Sequence, residues 1–99
     1  MEALPKHEEF VPQLNSKFNV QVDEANAVEL VLSEVGELKT TDRQELFSIV
    51  FRGPLEVFLG QGIRQLQHEA LGELGLFLVP IKQDESGFYY ESVFNRLKK

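Results

Sequence analysis

A chain of 99 residues with a formal net charge of −6 and a pI near 4.9 has room for one hydrophobic core and excludes a second domain. The acidity disfavours a phosphate backbone as partner, because nucleic-acid affinity comes from clustered Lys and Arg. No Cys is present, so disulfides and thiolate metal sites are excluded, and no apolar run approaches the roughly 20 residues of a membrane helix.

The opening MEALPKHEEF lacks a basic head followed by an apolar run, so it does not read as a signal peptide. With the missing Cys, this gives the expectation of a cytoplasmic protein with no membrane partner. Residues 1–6 read as a loose tail before a single domain. Glu8-Glu9-Phe10-Val11-Pro12-Gln13-Leu14 places Phe10 and Leu14 four apart behind two acids, which predicts a short helix ended by Asn15-Ser16. Both apolar side chains are expected to cover an end or edge of the sheet.

Lys17 to Val22 alternates polar and apolar residues with period two, the mark of a half-buried strand. Asp23-Glu24-Ala25-Asn26 supplies a turn. Ala27 to Val35, with Val28, Leu30 and Leu32 on one face, predicts a second strand antiparallel to the first. Between Phe18 and Leu38 no basic residue occurs, while Asp23, Glu24, Glu29, Glu34 and Glu37 accumulate. This strip is either a solvated face that gives solubility or a docking strip for a basic partner.

Thr40-Thr41-Asp42 is either a loop or a helix capping box, with Gln44 three residues after Thr41. Leu46 to Phe51 is rich in β-branched and aromatic residues, which favours a strand ended by Arg52-Gly53-Pro54. Pro54 to Leu59 decides nothing, since its helical spacing is too short. Ile63 to His68 is a further strand, reached through Gly60-Gln61-Gly62.

Leu74 to Arg96 then reads as a β-hairpin around Asp84-Glu85-Ser86-Gly87. A three-residue loop, Glu85-Ser86-Gly87, places Asp84 opposite Phe88, Val79 opposite Val93, Leu78 opposite Phe94 and Phe77 opposite Asn95. One face then carries Leu76, Leu78, Phe88, Tyr90 and Phe94, and the other Phe77, Val79, Ile81, Tyr89 and Val93. Both faces are apolar, as in a strand covered on two sides. Pro80 offers no N–H to a ladder, which predicts a bend or bulge there. About six strands with short connections predict a mostly β fold, a small antiparallel meander closing into a barrel or roll with a short N-terminal helix.

The run Leu59 to Gly72, followed by Leu76-Phe77-Leu78-Val79-Pro80-Ile81 and Tyr90-Glu91-Ser92-Val93-Phe94-Asn95-Arg96, resembles a family of small bacterial proteins known only as a domain of unknown function. Phe47 to Pro54, with its Phe-Arg-Gly-Pro ending, extends the likeness. Members of that family look like stand-alone proteins, some beside genes for phage-tail-like fibre proteins, which implies an accessory or assembly role. The resemblance transfers no catalytic residue.

The residues themselves show no constellation for chemistry. His68-Glu69 has Gly72 where a zinc-protease helix needs its second His, and His7 lies near the tail. Gly60-Gln61-Gly62 lacks the third glycine of a dinucleotide loop and the Lys-Ser/Thr of a phosphate loop. None of the five serines sits in a Gly-x-Ser-x-Gly elbow. No catalytic, cofactor or metal residue is assigned. Glu91 is expected to face Ile81 and to pair with Arg52, Arg64 or Arg96.

Two functions stay open. The first is a non-enzymatic interaction or assembly module, with Tyr89 and Arg96 among its contacts and a protein partner or a second copy as its occupant. The second is a small-ligand binder or minor enzyme at a barrel mouth lined by Arg52, Gln61, Arg64, His68 and Glu91.

Overall fold

The computed structural model describes residues 4–97. Its strands are β1 (Lys17–Gln21), β2 (Ala27–Val35), β3 (Lys39–Thr40), β4 (Gln44–Gly53), β5 (Gly62–His68), β6 (Gly72–Asp84) and β7 (Gly87–Leu97). All pairings are antiparallel in the order β2-β1-β5-β6-β7-β4-β3, and β2 also pairs with β4. Six strands therefore close into a barrel, and the two-residue β3 hangs on β4 outside it.

Alternation decides which side chains enter the barrel. In β1 the pattern of exposed and buried residues buries Phe18 and Val20, and in β2 it buries Val28, Leu30 and Leu32. Ile49, Phe51, Leu66, Leu78 and Tyr90 meet them in a filled interior. The order departs from a meander: β1 turns to β5 and β2 to β4, so the 54–61 segment carries the chain across one barrel end. Leu59 is buried there, and its N–H donates to the Tyr90 hydroxyl at 2.9 Å.

The other end is plugged by the helix α1 (His7–Phe10) and a 3-10 turn at Val11–Gln13. Glu9 accepts the Lys6 backbone N–H at 2.9 Å, a capping bond for the first turn. Phe10 is fully buried against Phe94 and Phe47, whose rings stack at 4.7 Å. Leu14, expected to join it, is 45% exposed instead. The path tightens to 3-10 after Phe10 and turns extended at Leu14, so the four-residue spacing no longer holds both side chains on one face. Of residues 1–6, read as a tail, 1–3 lie outside the described residues. Pro5 is buried, and Arg96 donates to the carbonyls of Leu4 at 2.9 Å and Pro5 at 3.5 Å.

The hairpin turns on two residues, Glu85 and Ser86, with Asp84 opposite Gly87 rather than Phe88. Asp84 Oδ1 accepts the Ser86 N–H at 2.8 Å, which fixes the shorter loop. A bulge between Pro80 and Lys82 then shifts the register again, so that Val79 faces Glu91 rather than Val93. The two shifts together move the pairing by two residues, which preserves the faces, and the irregularity falls where Pro80 predicts it. Leu76, Leu78, Tyr90 and Phe94 point inward. The opposite face is largely uncovered: Phe77, Ile81 and Val93 are exposed, because a six-strand barrel has a single interior.

Candidate functional site

The predicted polar contacts do not converge on a barrel mouth. Arg52 on β4 and Tyr89 on β7 are directly opposite each other on the outer surface, and Glu91 lies one outward position further along β7. Gln61 is exposed in the loop before β5. Arg64 follows it on the inward-facing set of β5, donating to the Gly60 carbonyl at 3.1 Å, with its Nε buried and unpartnered. His68 lies at the opposite end of that strand. Arg96 holds the N-terminal segment. Glu91 faces Val79 and Val50 rather than Ile81, and the ion pair expected for it does not form. Among the described residues the ion pair present is Lys17–Glu29, at 4.0 Å.

His68 shows the one arrangement that resembles a catalytic pair, since its Nε2 lies 2.8 Å from the Ser16 hydroxyl. Its other nitrogen decides the chemistry. Nδ1 accepts backbone N–H groups from Ala70 at 3.0 Å and Leu71 at 3.1 Å, so it carries no proton. The proton of the neutral ring is then on Nε2 and points at Ser16, whose hydroxyl donates onward to the Gln13 carbonyl. A ring that donates to a serine cannot remove that serine's proton. Burial beside Phe18, at 4.2 Å between ring centroids, lowers the His68 pKa from its usual value, while Glu69 opposes this. The ring therefore clasps the 3-10 turn, the start of β1 and the β5–β6 turn.

The larger feature lies on the outer face and includes Phe77 and Val93, two hairpin residues whose apolar face predicts a covered strand. Ile63 on β5 is opposite Phe77 on β6, and Val93 on β7 continues the row across the third strand. Their exposures are 72%, 49% and 62%. The β6–β7 pairing ends at Val79–Glu91, although β6 reaches back to Gly72 and β7 runs on to Leu97. A cleft of about 430 Å3 opens at this seam between Gly75–Phe77 and Ser92–Arg96, with Leu4 at its margin. Ser92 is buried and lines the cleft. The signal available in the sequence was the doubly apolar hairpin, which indicates a second contact face as readily as a second layer.

The acidic strip does not form one surface. Asp23 is engaged by its own turn, where Oδ1 accepts the Ala25 and Asn26 N–H groups at 2.9 Å. The Asn26 side-chain bond, followed by the Ala25 N–H, lowers the Asp23 pKa. Glu29 pairs with Lys17, while Glu34 and Glu37 line separate depressions on the outer face.

No curated protein and no solved structure matches this chain. A family model described as a domain of unknown function, DUF6916, matches residues 5–94, from the buried Pro5 to the Phe94 of the aromatic plug. The chain therefore belongs to the DUF6916 family.

Proposed function

We propose that this protein is a non-enzymatic interaction module that takes an extended segment of a protein partner along the β6–β7 seam. The observation that supports it is the open seam itself, flanked by the exposed row Ile63, Phe77 and Val93. Every second residue of each strand turns its backbone N–H and C=O sideways, so strands that part leave groups suited to a third strand. An accessory role in an assembly such as a phage-tail-like particle is a setting in which such a module serves.

Burying the exposed remainder of the three apolar side chains is worth roughly 3–5 kcal/mol. Association alone costs about 4 kcal/mol or more. The apolar row thus needs the backbone groups of the seam as a second contribution. Solution molar mass, measured on the purified protein and on native complexes, tests this against a Val93→Asp variant. A stoichiometric companion that the variant loses is the expected result. A second copy in place of a companion would make the seam a self-association surface, and a monomer without a companion in both proteins would overturn the reading.

A further inference from the structure

A separate site lies higher on the outer surface, where two backbone irregularities meet. The β2–β4 ladder slips at Ser33, between Leu32 and Glu34, and the β6–β7 ladder slips at Ile81, between Pro80 and Lys82. These bulges lie on opposite sides of the paired strands β4 and β7, at the level of Phe51–Tyr90 and Arg52–Tyr89. Bulges re-aim side chains, and they concentrate beside binding sites. Both bulged residues line one depression of about 400 Å3, together with Glu34, Val50, Arg52, Lys82 and Tyr89.

The lining has a definite chemistry. Lys82 Nζ sits 4.6 Å from the centre of the Tyr89 ring, and Arg52 is opposite Tyr89 across the β4–β7 ladder. No described carboxylate forms an ion pair with either cation. Arg52 and Lys82 thus face one lining carboxylate, Glu34, with which neither forms an ion pair. Asp84, the next acid, accepts the Ser86 N–H of the turn through Oδ1 and attracts Lys82 from there. Val50, buried, and Ile81, half exposed, supply an apolar floor. A guanidinium and an ammonium beside one another suit an anionic group, and the floor suits an organic body. Arg presents the planar fork that a carboxylate fits.

We propose that this depression binds an organic carboxylate, held by Arg52 and Lys82 over the Val50–Ile81 floor. The group comes either from a free acid or from a peptide chain end. The site is independent of the seam, and its variants leave Val93 untouched.

Amide NMR titration with benzoate tests it. Saturable shifts centred on Arg52, Ile81, Lys82 and Tyr89 are expected, with affinity falling about tenfold in Arg52→Gln, the loss of one charge-assisted contact. Lys82→Gln, on the exposed side of the bulge, gives a second reading that does not depend on the first. Benzamide binding as tightly as benzoate would overturn the proposal, since charge would then play no part. Phosphate binding more tightly would overturn the carboxylate class, and absent or unsaturable shifts, or unchanged affinity in both variants, would overturn the site. A tripeptide ending in phenylalanine, set against its amide, separates the two sources. A free-acid peptide tighter than benzoate identifies a chain end, and a weaker one a free acid.

Discussion

At the turn end of the β6–β7 hairpin, Val79–Asp84 and Gly87–Glu91 pair through a bulge and the strands stay together. At the other end the same two strands part, and each keeps only its outer neighbour, β5 for β6 and β4 for β7. The closed end is fixed by backbone contact that tolerates no side chain. The parted end is filled by other groups: Leu4 at the cleft, Arg96 bonded to its carbonyl, and the Phe10 plug behind Phe94. Closing a barrel by ladder costs accessibility, and closing it by side chains leaves a cleft at the seam.

The closed end breaks most readily at Gly87. A Cβ there would overlap the Gly53 carbonyl oxygen and press on the Arg52 side chain, while Gly53 is itself confined by Leu30 Cδ2, 2.7 Å from its own would-be Cβ. Backbone cannot yield to such an overlap without parting β4 from β7. Gly87→Ala is expected to lower stability by about 3 kcal/mol or more. Urea denaturation measures this, and a loss under 1 kcal/mol would show that the turn relaxes freely.

The β5–β6 turn and the start of β1 depend instead on the His68 clasp. Burial holds the folded-state pKa of His68 below the unfolded value of 6.5, so the folded protein binds its proton less readily. The stability contributed by the neutral ring is complete above pH 6.5 and is lost as pH falls through the lower folded value. Asp23 and Asp84 have pKa values lowered from 3.8, by the Asn26 and Ser86 bonds respectively, so their losses come at lower pH. Between pH 7 and 5 the stability should decline with falling pH in the native protein, and His68→Asn should flatten that slope. The substitution itself is expected to cost roughly 2 kcal/mol, through two backbone N–H groups left short of their acceptor. An unchanged slope would remove His68 from the clasp.

This contrast also marks how far the sequence could be read. Ala27–Val35 was legible to the residue, because its apolar run stops before Gly36, although the alternation breaks earlier, at the Ser33 bulge. Tyr90, Phe94, Leu76 and Leu78 were placed on the inner face correctly even with the register off by two, since a side-chain period of two survives an even shift. The partners β1–β5 and β2–β4 were not legible, because alternation names a face and not a neighbour. For the same reason Phe77 and Val93 looked covered. Of the candidate residues, Arg52 was expected at a barrel mouth and Tyr89 at a contact surface, and their meeting with Lys82 on the outer face depends on the bulge at Ile81, which Pro80 signalled only approximately.

The mildest perturbation is also the one that separates plug from partner. Arg96 Nη2 binds the Leu4 carbonyl in an exposed position, so Arg96→Ala should lower stability by only about 0.5–1.5 kcal/mol. Its local effect should be larger, because these bonds hold the N-terminal segment against the seam. Amide exchange at Lys6 is expected to quicken in the variant, together with exchange at Leu76 and Phe77 along the cleft. His68, whose bonds belong to a different clasp, should keep its protection. If the cleft amides stay protected while Lys6 is released, the N-terminal segment lies beside the seam without covering it, and Leu4 is no competitor for an incoming strand. If both are released together, the segment is a built-in cover, and a partner must displace it before the strand-shaped gap is free.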